Sequence, residues 1–398
     1  MLRSAWFWIT IVLIAAGIAL TSALGALPWL IAFVGAVALL GVGVFLYAAY
    51  AVGRAEPPAL PQLEEVSDES RIPLIYDCDL TMGRPFRSVS DGLALLYLLG
   101  EPRIDVRAVT TTYGNGPVGM TTRTARRLLD HLEQHHVVVA RGAGGPDEDP
   151  AENEAARYLV DTVSAHPDEI VVLATGAMTN LRHASTLDPD FFRNVRSLYL
   201  MGGIKGQLTW NERYLGERNF SRDPEAAYAA IQSHCPTTIA LGEAGLTAIF
   251  RHPQFAALQA LDGPVPRTIA RKIRIWFGLM RLWFGDGGFP MWESVAALAI
   301  THPELFAFQR GHLPITVEDL HTGRLVIDPS RAGPVRLVEE VRDYDTFIEV
   351  HFAAWQRLNL SIAKPEAKLN TGGPNTPPSD AGTASEEGPV DSEERVYL

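Results

Sequence analysis

One segment decides the fold, Leu74-Ile75-Tyr76-Asp77-Cys78-Asp79-Leu80-Thr81, in which an apolar run ends at two aspartates one residue apart. The β-branched and aromatic residues before Asp77 predict a buried strand. Open α/β sheets bind ligands outside the carboxyl ends of their strands, so Asp77 and Asp79 are expected at the mouth of a site. Asp91 follows at the start of a predicted helix and is expected to face the same crevice. These carboxylates suit calcium or magnesium better than zinc, although they could simply cap a turn and a helix.

Short apolar runs alternate with helical stretches throughout residues 71–363. The runs lie at residues 73–76, 106–111, 137–140, 170–174, 198–201 and 237–241. This alternation predicts an α/β domain with a Rossmann-like, open and mostly parallel sheet that carries helices on both faces.

The amino-terminal part of the chain is strongly apolar, with no Asp, Glu, Lys or Arg between Arg3 and Arg54. Residues 5–24 and 27–52 are each long enough to cross the roughly 30 Å hydrocarbon core of a bilayer as a helix. We therefore predict an α-helical transmembrane hairpin within residues 1–53, with a cleaved signal peptide as the alternative for the first span. The positive-inside rule then predicts a multi-pass protein of the cell membrane whose folded domain is cytoplasmic.

Composition limits the possible partners and marks the flanking segments. A net charge of -12 over 398 residues argues against a nucleic-acid partner. Cys78 and Cys235 offer no disulfide framework and agree with a reducing compartment. Residues 54–70 contain Pro and Glu and are predicted to form a linker, whereas residues 364–398, with few apolar side chains, are predicted to be a disordered tail.

Polar residues follow several predicted strands, at the places where a site is assembled from separated parts of a chain. Gly114-Asn115 follows the second strand, Thr179-Asn180 the fourth, and a polar segment from Asn211 to Asn219 the fifth. With these motifs, residues 72–355 resemble the inosine-uridine nucleoside N-ribohydrolase family.

The opening signature of that family is Asp-x-Asp-Pro-Gly-x-Asp-Asp. Asp77-Cys78-Asp79 matches its beginning and Ser90-Asp91 matches its end, with residues 82–89 in place of the short Pro-Gly link. The resemblance implies a nucleoside hydrolase fold and an enzyme that cleaves the N-glycosidic bond of ribonucleosides to give ribose and free base. Members of that family are usually homodimers or homotetramers, so the resemblance also implies a possible homo-oligomer.

The resemblance further implies residue roles. Asp79 would bind calcium and act as general base on a water. The other calcium ligands would be Asp91, Glu293 and the main-chain carbonyl of Thr179. Positions that match substrate-binding residues of the family are Ser90, Asn115, Asn211, Glu217, Asn219 and Trp292.

Four features depart from the family pattern. Ser90 replaces an Asp, Trp292-Glu293 replaces His-Asp, and the His-rich loop after the third strand is missing. Trp292 cannot protonate a leaving base, but it can stack on a purine. A catalytically impaired, membrane-tethered domain that binds a nucleoside-like or nucleotide-like ligand is therefore the alternative function.

Two further interpretations stay open. Asp77 to Thr81 also fits the Asp-x-Asp-x-Thr opening of haloacid-dehalogenase-type phosphatases, although good counterparts of that family's later Lys and acidic pair are missing. Residues 267–284 form a basic, aromatic and amphipathic stretch that could cover the base as a lid, lie on an anionic membrane face, or be an ordinary partly buried helix.

Overall fold

The structure is a computed structural model that describes residues 71–285 and 288–363, together with a few isolated positions between 32 and 43. The predicted spans at residues 5–24 and 27–52 fall outside the described residues apart from those positions. The predicted linker (residues 54–70) and tail (residues 364–398) fall wholly outside them. Within the described part of the chain, no helix has both the length and the apolar character needed to cross a membrane.

Strands and helices alternate along the described chain. The strands are β1 Ile72–Cys78, β2 Ile104–Thr111, β3 Val138–Arg141, β4 Val171–Ala174, β5 Ser197–Met201, β6 Thr209–Trp210, β7 Arg213–Tyr214, β8 Thr237–Ala240, β9 Ile249–Arg251, β10 Gly288–Pro290, β11 Phe306–Gly311 and β12 Val335–Val341. The α-helices are α1 Ser90–Gly100, α2 Val118–His131, α3 Glu154–Ala165, α4 Thr179–Leu187, α5 Phe191–Asn194, α6 Pro224–Ile231, α7 Gly242–Gly245, α8 His252–Ala260, α9 Pro264–Phe284, α10 Trp292–Thr301, α11 Val317–Leu320 and α12 Tyr344–Ala363.

The main sheet has eight strands in the order β11-β12-β8-β5-β4-β1-β2-β3. All neighbouring pairs are parallel except β11 with β12, which are antiparallel at one edge. The predicted open and mostly parallel sheet is therefore confirmed. Two short antiparallel pairs, β6 with β7 and β9 with β10, lie outside it.

The order of strands reverses at β1. The chain runs outward from β1 through β2 to β3, and it then returns to place β4 on the other side of β1. The two crossover connections therefore diverge at the carboxyl ends of β1 and β4 and leave a crevice there, which is the usual ligand position in such sheets. The sequence places Asp79 and Thr175 directly after these two strands.

Helices cover both faces of the sheet, as predicted, because successive side chains of a buried strand point to opposite sides. Tyr76 belongs to the core on one face, together with residues of α1, α9, α10 and α12. Ile75 belongs to the core on the other face, together with residues of α3, α4 and α6.

The helices α1 and α10 carry acidic residues at their amino ends and are tied together at their carboxyl ends. The Tyr97 hydroxyl lies 2.6 Å from that of Thr301, and Arg103 Nη1 donates to the Thr301 carbonyl at 2.7 Å. Glu101, which follows α1, accepts a hydrogen bond from Arg103 Nε at 2.7 Å. This partly buried network fixes how the two helices lie relative to each other.

Candidate active site

Asp79 lies just beyond β1, where the loop after β2 holds its carboxylate. Oδ2 accepts the main-chain N–H of Asn115 at 2.6 Å, and Oδ1 accepts the side-chain amide of Asn115 at 2.8 Å. Gly114 has φ +147°, and a Cβ at this position would collide with Asp79 Oδ2. Only glycine permits both this backbone conformation and this close approach. As a result Asp79 is 3% exposed and fixed through both oxygens.

Asp91 occupies the first turn of α1 and lies beside Asp79. The Thr175 hydroxyl donates to Asp91 Oδ1 at 2.9 Å, and the Asn115 amide lies 3.3 Å from Oδ2. The Tyr76 hydroxyl lies 3.3 Å from the main-chain carbonyl of Asp91 and also contacts Thr175 at 3.0 Å. The predicted convergence of Asp79, Asp91 and Asn115 is thus present in the structure.

Burial and mutual repulsion disfavour the ionised forms of this pair. Burial, and then the charge of Asp91, hold the pKa of Asp79 well above its usual range, although the Asn115 N–H favours the ionised form. Burial also raises the pKa of Asp91, to about 6, while the Thr175 hydroxyl and a hydrogen bond shared with Asp79 oppose the rise. Two like charges this close cannot both be ionised cheaply without a cation to balance them.

Glu293 is the third acidic residue of the crevice. It lies in the first turn of α10 and is buried, and its Oε2 has no hydrogen-bond partner. Burial, and then the charge of Asp91, raise the pKa of Glu293 to about 8, whereas Ser90 favours its ionised form. Ser90 is itself buried and contacts the Ser88 hydroxyl at 2.8 Å.

The three carboxyls are suited by chemistry to a hard divalent cation. Each is buried, each has a raised pKa, and among the described residues none forms an ion pair with Lys, Arg or His. Oxygen donors without a balancing cation are the ligand type that calcium and magnesium prefer. Within residues 71–285 and 288–363, however, no three His, Cys, Asp or Glu side chains are arranged as a ready-made metal site.

Asp77 lies within β1, and its side chain is on the side of the sheet opposite to that of Tyr76. Its Oδ1 accepts hydrogen bonds from Thr110 at 2.6 Å and from the Asn180 amide at 2.7 Å, while its Oδ2 is buried without a partner. Burial raises the pKa of Asp77 to about 6, and the two hydrogen bonds oppose that rise. Asp77 therefore ties β1 to β2 and α4.

Thr179 is the first residue of α4, and its side chain is engaged away from the carboxylates. Its hydroxyl donates to Asp223 Oδ2 at 2.7 Å and lies 3.3 Å from the Tyr113 hydroxyl. Asp223 also pairs with Arg182 at 3.1 Å. Only the main chain of Thr179 is left as a candidate ligand, which is the role the family resemblance implies.

Glu217 and Asn219 lie at the carboxyl end of β5. Oε1 of Glu217 accepts the N–H groups of Asn219 at 2.9 Å and Phe220 at 3.0 Å, and Oε2 accepts that of Ser221 at 2.8 Å. The Asn219 amide donates to the Met201 carbonyl at 2.9 Å. The structure thus uses much of the hydrogen-bonding capacity of Glu217 to order the turn that presents Asn219.

Asn211 lies on the exposed turn between β6 and β7. Asn211 and Glu212 have φ values of 49° and 63°, which is the geometry of a tight hairpin turn. The Asn211 amide donates to the carbonyl of Phe284 at 2.9 Å. In the structure Asn211 therefore links this hairpin to the end of α9.

Trp292, the first residue of α10, is half-buried next to Glu293. Its indole N–H donates to the Gly242 carbonyl at 3.1 Å, and its ring lies so close to Gly245 that no Cβ fits there. The indole is thereby fixed against α7.

Sequence reasoning gave no role in the site to Thr175 or to Tyr76. Thr175 carried a usable signal, since it directly follows β4, the strand that neighbours β1. Tyr76 had no comparable signal, because an aromatic residue in a buried strand is normally predicted to be a core residue.

Comparison with known proteins agrees with this architecture. The profile of the family described as inosine-uridine preferring nucleoside hydrolase matches residues 74–349. The pyrimidine-specific ribonucleoside hydrolase RihA of Citrobacter koseri is 24% identical over 285 residues, which are 65% of this chain and 88% of that protein. The probable uridine nucleosidase 1 of Oryza sativa subsp. japonica is 23% identical over 270 residues, which are 60% of this chain and 82% of that protein.

Solved structures share the fold. A purine-preferring ribonucleoside hydrolase from Gardnerella vaginalis superposes with a TM-score of 0.63 at 22% identity, covering 72% of this chain and 99% of its own. The plant nucleoside hydrolase PpNRh1 superposes with a TM-score of 0.62 at 20% identity and the same coverage. The prediction of an enzyme of the nucleoside N-ribohydrolase class is confirmed, and the chain belongs to the inosine-uridine preferring nucleoside hydrolase family.

Proposed function

We propose that this protein hydrolyses the N-glycosidic bond of ribonucleosides to ribose and free base, with calcium as its metal and Asp79 as general base. The single observation that carries the proposal is the Asp79–Asp91 pair. It lies buried at the switch point of the sheet, lacks a basic partner among the described residues and is gripped by Asn115.

Calcium would be held by Asp79, Asp91, Glu293 and the main-chain carbonyl of Thr179, and it would lower the pKa of the attacking water. A cation would also stabilise the ionised forms of the three carboxyls, which burial and then mutual repulsion disfavour.

The side chains of the chain itself account for the remaining steps. Cleavage passes through a state in which the sugar resembles an oxocarbenium ion, so the ribose has to be fixed and a water has to lose a proton. Asp79, held through both oxygens, would accept that proton. Ribose hydroxyls would be bound by Ser90, Asn115, Asn211, Glu217 and Asn219.

Trp292 would receive the base. Its ring is fixed by the hydrogen bond to Gly242, so a stacked base would meet a side chain that is already ordered. Stacking would stabilise the departing base in place of a proton donor. The named relatives include a pyrimidine-specific and a purine-preferring enzyme, so both classes of base are candidates.

We also propose that residues 5–24 and 27–52 anchor the protein in the cell membrane, with the enzyme domain in the cytoplasm. The support is the absence of Asp, Glu, Lys and Arg between Arg3 and Arg54. Assembly into a homo-oligomer is a further proposal, and the family resemblance alone supports it.

The test is release of reducing sugar from a panel of purine and pyrimidine ribonucleosides by the purified full chain. We expect release in calcium, little release with chelator, and loss of release in Asp79→Asn. Asp190→Asn is the matched control, because Asp190 is a surface aspartate whose carboxylate pairs with Arg193 at 3.0 Å.

No release from any nucleoside by folded, calcium-loaded protein would contradict the proposal. It would revive the alternative of a catalytically impaired ligand-binding domain, which membership in the family does not favour. Equal release with and without chelator would instead contradict the calcium dependence alone.

A further inference from the structure

The outward side of α9 is basic at its beginning and apolar towards its end. Arg267, Arg271, Ile275 and Leu282 are exposed and follow one another at intervals of four, four and seven residues, which places them on one face of the helix. Ile275 is 51% exposed and Leu282 63% exposed. The opposite face, including Ile269 and other apolar residues, belongs to the main core.

A second exposed segment lies next to α9. Residues 82–89, which replace the short link of the family signature, lie against α9, since a Cβ on Gly83 would come within 3.1 Å of Lys272 Cγ. Phe86 of this segment is 67% exposed, and Arg87 is exposed as well. We call the surface formed by Phe86, Arg87, Arg267, Arg271, Ile275 and Leu282 the basic-apolar face.

The charge of this face is unusual for the chain. Neither residues 82–89 nor α9 contains an Asp or Glu, although the whole chain has a net charge of -12. Among the described residues, Arg87, Arg267 and Arg271 form no ion pair with a carboxylate. Burial, and then the charges of Arg271 and Arg84, lower the pKa of Lys272, which agrees with an excess of cations here.

We propose that the basic-apolar face docks on the surface of a bilayer that contains anionic lipid. Cations beside large exposed apolar side chains match a membrane interface, where headgroups meet the cations and the acyl boundary takes up the apolar side chains. A nucleic acid would match the cations but would leave Leu282, Ile275 and Phe86 in water. A membrane surface therefore accounts for both properties of the face.

Two features of the chain add to the argument. α9 has 21 residues and a length of roughly 30 Å, so the cations at its beginning and the apolar residues near its end can touch one flat surface together. The uncharged stretch between Arg3 and Arg54 would already hold the domain near a bilayer if it forms the proposed hairpin. Docking would then orient the domain without a large gain in affinity.

The test places an environment-sensitive fluorophore on Leu282→Cys in the full chain, and on Leu187→Cys as a matched control. Leu187 is 38% exposed and ends α4, which packs on the other face of the sheet. Cys78 and Cys235 are buried, so the introduced cysteine is the preferred site of labelling among the described cysteines. The chain is reconstituted into vesicles of phosphatidylcholine alone or with phosphatidylserine.

We expect a blue shift and protection from an aqueous quencher at position 282 in phosphatidylserine vesicles, with neither change at position 187. Adding Arg267→Gln and Arg271→Gln to the labelled chain should weaken the docking equilibrium by about fivefold per arginine. The readout is the position of a label and is independent of nucleoside hydrolysis.

Other outcomes would overturn the proposal. An unchanged label at 282 in a chain that floats with phosphatidylserine vesicles would exclude docking, and an equal shift without phosphatidylserine would exclude a role for the arginines. A shift that appears without lipid at high protein concentration would assign the face to a second copy of the chain. A shift caused by nucleoside alone would make α9 a lid.

Discussion

Asn115 grips both oxygens of the Asp79 carboxylate, through its main-chain N–H at 2.6 Å and its side-chain amide at 2.8 Å. The two residues are 36 positions apart and come from the ends of neighbouring parallel strands. The same amide also reaches Asp91, at 3.3 Å. The Asn115 side chain therefore orients Asp79, the proposed general base, and lies between the carboxylates of Asp79 and Asp91.

Replacing Asn115 should impair catalysis without unfolding the domain. Asn115→Ala keeps the main-chain hydrogen bond and loses the one from the amide, and a hydrogen bond to a charged group contributes about 1.5–3 kcal/mol. We expect kcat/KM for the best nucleoside to fall by about tenfold to a hundredfold, with most of the loss in kcat. Unchanged kcat/KM in a variant with normal thermal stability would remove Asn115 from the site.

Gly114 makes this grip possible and should tolerate no side chain. Gly114→Ala would force a Cβ against Asp79 Oδ2 at a φ of +147°, so we expect loss of activity and lower thermal stability. Gly145→Ala is the matched control from a neighbouring loop, because a Cβ there meets nothing within 4 Å. The argument fails if the two variants behave alike in activity and melting temperature.

The part of the site that could be predicted from the sequence is the part that sheet geometry determines. Parallel strands end at the same edge, so acidic and amide residues that follow β1 and β2 have to meet. Asp79 and Asn115 illustrate this. The alternation of apolar and helical segments likewise predicted the mostly parallel sheet. Strands of a parallel sheet are buried on both faces, so they are short continuous apolar runs separated by the helices that cover them.

The rest depends on local backbone geometry that a pattern does not encode. Glu217 is predicted to bind sugar, and the structure adds that its carboxylate accepts three N–H groups of the turn that follows it. Asn211 points to the end of α9 because Asn211 and Glu212 adopt left-handed backbone conformations. Neither arrangement can be derived from the spacing of residues along the chain.

Removal of the metal should destabilise the protein through Asp91. A ligand that binds only the folded state at a hundred times its Kd stabilises it by about 2.7 kcal/mol, so calcium should raise the melting temperature and chelator should lower it. Asp91→Asn should abolish this difference, while Asp190→Asn should retain it. Differential scanning calorimetry of the three proteins, with calcium and with chelator, measures the effect without any substrate.

A calcium response that persists in Asp91→Asn would show that the ion binds elsewhere. Glu293→Gln refines the result, since it keeps the length of the side chain but removes the charge of a residue whose pKa is raised to about 8. In chelator, this substitution should stabilise the protein at alkaline pH, where the wild-type chain has to ionise a buried carboxyl beside Asp91.

Glu101 should make the stability of the domain depend on pH in the acid range. Burial by itself would raise the pKa of this carboxyl, but hydrogen bonds from His302 and Arg103 outweigh it and lower the pKa to about 2. Because the folded-state pKa lies below the usual value of 4.5, the stabilisation is present above that pH and is lost as the pH falls towards 2. A shift of this size corresponds to about 3 kcal/mol.

Loss of these contacts should also affect the active site. The network around Glu101 links the carboxyl ends of α1 and α10, the helices that carry Asp91 and Glu293. Urea unfolding between pH 5 and pH 2 should show a steep loss of stability in the wild-type chain and a shallower one in Glu101→Gln. Glu304→Gln is the matched control, because Glu304 contacts the same His302, at 3.0 Å, from the exposed side. If Glu101→Gln and Glu304→Gln flatten the pH dependence equally, the ionised Glu101 carboxylate is not its source. The contact that holds α1 against α10 would then be the one between the Tyr97 and Thr301 hydroxyls.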